Sequence, residues 1–259
     1  MAITLHASAA GDGPPVVLLH GLFGMGGNLG GVARALQAHY RVHSVDLPDH
    51  GRSGWLEQTD LPAIAECVRF WMDHHGLDRP CFVGHSLGGK VAMQLALHHP
   101  SRVSALLVAD IAPVDYPPRH DAVFAALDAV ALAGCESREE AAGLMAKHIP
   151  EAEVIQFLAM SLQRNTQGRY VWRFNLEGIR GGYPALRAAP TPGAPYRGPT
   201  LFIKGGESDY ISEAHRHDIL ALFPQAELKV MPGCGHWLHA ERPSLFNSIV
   251  RRFLEGCRI

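Results

Sequence analysis

Residues 81–97 read CFVGHSLGGKVAMQLAL: an apolar run, a serine between glycines, then an apolar stretch of helical character. This stretch decides the fold. A buried strand that passes through one tight turn into a helix is the repeating unit of a parallel sheet covered on both faces. Gly84, Ser86 and Gly88 form G-x-S-x-G. A turn this sharp strains the serine backbone and leaves no room for side chains at the flanking glycines. It lifts the Ser86 hydroxyl above the sheet, and the N–H of Leu87 at the helix start faces any oxyanion that develops there. The plain alternative is a strand-to-helix turn with a capping serine, which the pentapeptide alone also fits.

The same alternation continues on both sides. Buried-strand runs are PPVVLLHG (14–21), YRVHSVDLP (40–48) and VSALLVAD (103–110). Helical stretches fall between them at 28–39, 60–77 and 88–99. In the second of these, Leu61, Ile64, Ala65, Val68 and Trp71 or Met72 share one face. From about 113 to 195 the pattern changes to helical stretches, HDAVFAALDAVALA and REEAAGLMAKHI, with no comparable buried strand. This part ends in the proline-rich AAPTPGAPYRGP (188–199). The strand–helix pattern then resumes with PTLFIKGGE, HRHDILALFP, AELKVMPG and SLFNSIVRRFLEG. The expected architecture is α/β: a mostly parallel central sheet flanked by helices. Its core comprises residues 1–112 and 197–259, with residues 113–196 as a small inserted helical cap.

Composition narrows the function. The 259 residues are 47% hydrophobic and 19% charged with net charge -2, which suits a soluble enzyme and offers no surface for nucleic acid or an anionic membrane. The five cysteines are an odd number without a C-x-x-C pair, as expected of reduced thiols in the cytoplasm. The first residues lack the basic and apolar regions of a signal peptide, and no apolar run approaches the roughly 20 residues of a membrane span. A soluble cytoplasmic protein, monomeric or homodimeric, is the expectation.

A serine hydroxyl needs a base. His236, in MPGCGHWLHAERP, follows the last strand, where ligands bind in such sheets. Gly233 and Gly235 free its loop to reach the serine, which favours it over His239. The base in turn needs an acid. Asp110 ends the strand VSALLVAD, and Asp209 lies in GGESDY after a later strand; both satisfy the order Ser, Asp, His. Topology favours Asp209, whose strand should neighbour that of the histidine. HGLFG (20–24) can supply a second oxyanion donor from the N–H of Leu22, with Phe23 next to it. GLFGMGG resembles a phosphate loop only loosely, because no lysine follows it and G-x-G-x-x-G is unmatched. In DLPDHGRSG (46–54), Asp46, Asp49 and His50 hint at a metal, but the proline and glycines indicate a structural loop.

Together HGLFG, DLPDHGRS, GHSLGG and GCGHW resemble the α/β-hydrolase superfamily. ADIAPVDYPPRHDAVFAALDAV, VIQFLAMSL and WRFNLEGI narrow the resemblance to the YbfF-type bacterial esterases and their eukaryotic α/β-hydrolase-domain relatives. The resemblance implies a serine esterase or thioesterase without cofactor, with a small helical cap over the site; a cap that small suggests small-molecule acyl esters of short to medium chain length, and no metal is expected. It also selects Asp110 as the acid, leaving Asp209 as a departure from the family pattern. Phe23, Tyr116, Phe124, Phe157, Trp172 and Trp237 are candidates to line the acyl pocket, two or three of the cap's aromatics being expected to face it. The rival readings are a perhydrolase/haloperoxidase or a lyase on the same fold, or a ligand-sensing module with a vestigial triad.

Overall fold

In the computed structural model, which describes residues 3–257, the elements follow one another as strand and helix. They are β1 (Ala7–Ala10), β2 (Pro15–Leu19), α1 (Gly30–Leu36), β3 (Arg41–Val45), α2 (Leu61–His74), β4 (Cys81–His85), α3 (Leu87–His98) and β5 (Leu106–Ala109). The chain then leaves the sheet for α4 (Asp121–Ala133), α5 (Arg138–Met145), α6 (Ala152–Met160), β6 (Leu162–Arg164), β7 (Tyr170–Trp172) and α7 (Leu176–Arg187). It returns as β8 (Thr200–Gly205), α8 (Arg216–Leu222), β9 (Ala226–Met231), α9 (Leu238–Glu241) and α10 (Pro243–Gly256). Residues 1–2 and 258–259, the ends of the expected core, lie outside the described residues.

The main sheet has the order β1-β3-β2-β4-β5-β8-β9. Every neighbouring pair is parallel except β1 with β3. This is the α/β architecture expected from the alternating pattern. Side chains alternate between the two faces, so each strand feeds two cores. Val17, Leu19, Phe82, Leu106, Val108 and Phe202 join α2 and α3 on one face. Val16, Leu18, Val83, Leu107, Leu201 and Ile203 join α1 and α10 on the other. Each such side chain contributes roughly 1.5–3 kcal/mol by leaving water.

Helix α2 buries Leu61, Ile64, Ala65, Val68, Trp71 and Met72, the face read from its spacing, and the Asp60 carboxylate caps its first turn at the Ala63 N–H. Helix α3 is buried from Leu87 to Leu97, which brings two polar side chains inside. Gln94 is satisfied by Thr191. The ammonium of Lys90 donates to the carbonyls of Val114 (2.9 Å), Arg187 (2.7 Å) and Ala188, the points where the chain leaves and rejoins the core.

Two strand features were absent from the sequence reading. Strand β1, ASAA, carries no apolar run and exists as an edge partner of β3. The β6–β7 hairpin is three residues a side and mostly open to water, so neither strand has the length or hydrophobicity of a sheet strand. Helix α7 holds Pro184 and three glycines, a poor helical sequence. Asn175 caps it at the Gly178 N–H, while Lys90 takes the carbonyls at its far end.

Candidate active site

Ser86 stands between β4 and α3 with φ +52°, a left-handed backbone that only the surrounding structure sustains in a non-glycine residue. The turn is as tight as the pentapeptide predicts. A Cβ at Gly84 would run into the carbonyl of Gly88, and one at Gly88 into that of Leu19. The Gly21–Leu22 segment closes over the serine from β2: a Cβ at Gly21 would lie 3.3 Å from that of Ser86. Leu22, from the loop after β2, and Leu87, the first residue of α3, border the same cavity as Ser86.

Two buried histidines shape the Gly21–Phe23 loop. The Nδ1–H of His20 donates to the Gly21 carbonyl (2.8 Å), and its Nε2 accepts from the N–H of Leu47 (3.0 Å). The Nδ1–H of His50 donates to Pro48 (2.8 Å), and its Nε2 accepts from the N–H of Phe23 (3.1 Å), which has φ +61°. Burial lowers His20 to about 4 and His50 to about 3, so both rings are neutral, as these roles require. Asp46 and Asp49 accept from Gly26, Arg52, Leu56 and Thr59. The DLPDHGRSG segment is therefore a structural brace for the neighbouring loop.

His236 lies in the loop between β9 and α9, with its side chain 19% exposed. Its Nδ1–H donates to Oδ2 of Asp110 (2.8 Å), a fully buried carboxylate that also accepts from the Ser208 hydroxyl and from the Gly205 N–H (2.8 Å). Asp110 itself has φ +54°. The phenol ring of Tyr210 stacks on the imidazole at 4.1 Å, and the Nε2–H of His85 donates to the His236 carbonyl (2.9 Å). With Nδ1 committed to Asp110, Nε2 of His236 is free to take a proton. Ser86 and His236 border one cavity. An imidazole fixed by a buried carboxylate and bordering one cavity with a hydroxyl is the kind of group that can accept that hydroxyl's proton.

The topological argument for Asp209 fails on geometry. Strand β8 neighbours both β5 and β9, so adjacency does not separate the two acids. Asp209 lies four residues beyond β8, with its side chain 74% exposed, and pairs with Arg119 at 2.7 Å. That guanidinium lowers its pKa. His239 is not the partner of Asp110 either. It packs against His85, ring centroids 4.6 Å apart, and desolvation lowers it to about 4.

Of the six aromatic candidates, Phe23, Phe157 and Trp237 border the cavity that holds Ser86 and His236. Tyr116 borders a second cavity at Ser86, while its hydroxyl accepts from the Ala112 N–H and donates to the Tyr210 carbonyl. Phe124 and Trp172 border neither. Phe124 packs edge-on against Phe23 and Tyr183, and Trp172 stacks on Phe174 and donates to the Leu127 carbonyl (3.0 Å), because the inserted helices need a core of their own. The sequence reading missed Tyr210, Ser208, His85, Lys90 and His120. Ser208 and Tyr210 flank Asp209 in the segment already singled out, but nothing local marks which of the three turns inward.

The alpha/beta hydrolase family matches this chain over residues 16–249. The esterase YbfF of Escherichia coli (strain K12) is 42% identical over 241 residues, covering 93% of this chain and 92% of that protein. The sn-1-specific diacylglycerol lipase ABHD11 of Mus musculus is 37% identical over 249 residues, covering 93% of this chain and 81% of the lipase. Among solved structures, a marine microorganism esterase aligns with a TM-score of 0.94 at 32% identity, covering 97% of this chain and 99% of that one.

Proposed function

Since the chain belongs to the α/β-hydrolase family and is by homology an esterase- or lipase-type hydrolase, we propose that it is a serine carboxylesterase working through an acyl-enzyme. The observation that carries this reading is the bond from His236 Nδ1 to the buried Asp110 (2.8 Å), with Ser86 held at φ +52° on the same cavity. Nε2 of His236 takes the Ser86 proton as Oγ attacks the ester carbonyl carbon. The N–H groups of Leu22 and Leu87 hold the oxyanion, each donor worth on the order of 3 kcal/mol. Asp110 fixes the tautomer and stabilises the imidazolium. The ring then gives its proton to the departing alkoxy oxygen, and water attacks the acyl-enzyme with His236 again as base. Every step uses groups of the chain and water.

Short to medium acyl esters are the proposed substrates, and the free cysteines suit the cytoplasm, where we place the protein. Among the described residues no helix is long and apolar enough to cross a membrane. Ser86→Ala tests the reading on p-nitrophenyl butyrate: turnover should fall by about 10⁴-fold or more, as for other triad nucleophiles. Wild-type turnover in that variant would refute it.

A further inference from the structure

Two cavities open onto Ser86. One, about 210 Å³, is bounded by Phe23, Val154, Phe157, Leu158, His236 and Trp237. The other, about 60 Å³, is bounded by Leu87, Lys90, Ile111, Tyr116 and Leu186. Leu22, Ser86, His120 and Tyr210 border both, so the serine stands in the wall between them. His236 borders the larger cavity and not the smaller.

That asymmetry has a chemical meaning. The bond broken in ester cleavage joins the carbonyl carbon to the alkoxy oxygen, and the imidazolium delivers the proton that this oxygen needs to leave. The alkoxy oxygen must therefore depart within reach of His236, carrying its substituent to the His236 side. The acyl chain, the remaining substituent of the tetrahedral carbon, points away from the ring. We propose that the larger cavity receives the alcohol part of the ester and the smaller one the acyl chain, making the protein selective for short acyl groups on bulky apolar alcohols. This assignment rests on the serine-esterase reading above.

The sizes set the scale. A dry cavity of about 150 Å³ takes up benzene, about 25 Å³ per carbon. On that scale the smaller cavity holds about two carbons beyond the carbonyl and the larger about eight. The walls differ as well. Leu186, buried in the smaller cavity, belongs to α7, which is tied to the core at both ends: the Asn175 amide donates to Asp49 (2.9 Å), and Lys90 holds the Arg187 carbonyl (2.7 Å). All three acceptors of the Lys90 ammonium are backbone carbonyls, so the Lys90 side chain that lines the smaller cavity is held in place from three sides. The larger cavity is walled by α4 and α6 through Val123, Val154 and Phe157, all only partly buried. Once the alcohol leaves, the space it vacates admits water beside His236 for the second step.

The test is kcat/KM over two ester series, with pH-stat detection. In phenyl acetate, butyrate and octanoate the alcohol is constant; octanoate should fall about tenfold or more below butyrate. In methyl and benzyl acetate the acyl group is constant; benzyl should exceed methyl by about tenfold. Leu186→Ala should raise the octanoate-to-butyrate ratio about fivefold, and Phe157→Ala should lower the benzyl-to-methyl ratio without moving the acyl ratio. If Leu186→Ala does not fold, the wild-type series still decides. Octanoate at or above butyrate, or methyl at or above benzyl, overturns the assignment while leaving the serine-esterase reading intact. Failure to cleave any ester, or cleavage that survives Ser86→Ala, removes that reading itself.

Discussion

The sheet core and the segment between β5 and β8 both border Ser86, yet they supply different things. Ser86, Asp110 and the Gly21–Phe23 loop sit at the carboxyl ends of strands locked in one parallel ladder, and His236 reaches the same edge from the loop after β9. The inserted helices contribute walls: Val123, Val154, Phe157 and Leu186. Strand ends fix positions to a fraction of an ångström, which proton transfer demands, whereas a wall need only have the right volume. Changes in the core should therefore abolish turnover, and changes in the insertion should shift selectivity or stability.

The sharpest way to break this division is the pair of acids. Asp110→Asn should lower kcat by about 10³- to 10⁴-fold, since an amide can leave His236 in the wrong tautomer. Asp209→Asn, which loses only an exposed ion pair with Arg119, should leave kcat within about twofold of wild type. A large fall in the second variant would make the exposed Asp209, and not the buried Asp110, the acid that supports His236.

The joint between the two regions comes next. Lys90→Met should cost about 2–4 kcal/mol in urea unfolding, because three partly buried carbonyls lose their donor. Arg180→Ala, which breaks a half-exposed pair with Asp128 inside the insertion, should cost under about 1 kcal/mol. Equal costs would erase the distinction between joint and insertion.

Acid should act on both regions together, with a smaller effect per group. Burial lowers His20, His120 and His239 to about 4 and His50 to about 3. Below the ordinary 6.5 the unfolded chain takes up protons that the fold refuses, so stability is complete above pH 6.5 and is lost as pH falls toward 4. The slope reaches at most about 1.4 kcal/mol per pH unit for each ring. His50→Gln should flatten the curve measured by urea unfolding between pH 6.5 and 4.5; an unchanged slope would mean that His50 is not held neutral. Trp172→Phe, which keeps the stack on Phe174 and loses the bond to Leu127, should cost about 1 kcal/mol in the same urea unfolding.

The same contrast explains what could be read from the sequence. Strands β2, β4 and β5 are buried on both faces, so they appear as unbroken apolar runs, and the buried face of α2 appears as a helical period. Ser86 and His236 were legible because glycines mark their turns. The acid was legible only through the family resemblance, which selects Asp110; position along the chain left it open, since β8 lies between the strands that end near Asp110 and His236 and touches both. Tyr210, Ser208 and Lys90 act through contacts with residues distant in sequence, a kind of information that no local pattern contains. The β6–β7 hairpin escaped because three residues a side, with Leu162 alone fully buried, give no period to detect.

Phe23, Asp49, Ser86 and Asp110 are the four described non-glycine residues in the left-handed region, and three of them border or build the site. Each forgoes on the order of 1 kcal/mol that glycine would recover, against a folding free energy of about 5–15 kcal/mol for a typical domain. Ser86→Gly relieves that strain and removes the chemistry in the same step, whereas at Asp110 the relief is offset by three donors left without their acceptor. A variant library screened only for heat resistance should therefore enrich inactive protein at Ser86, so selection for robustness needs a turnover readout beside it.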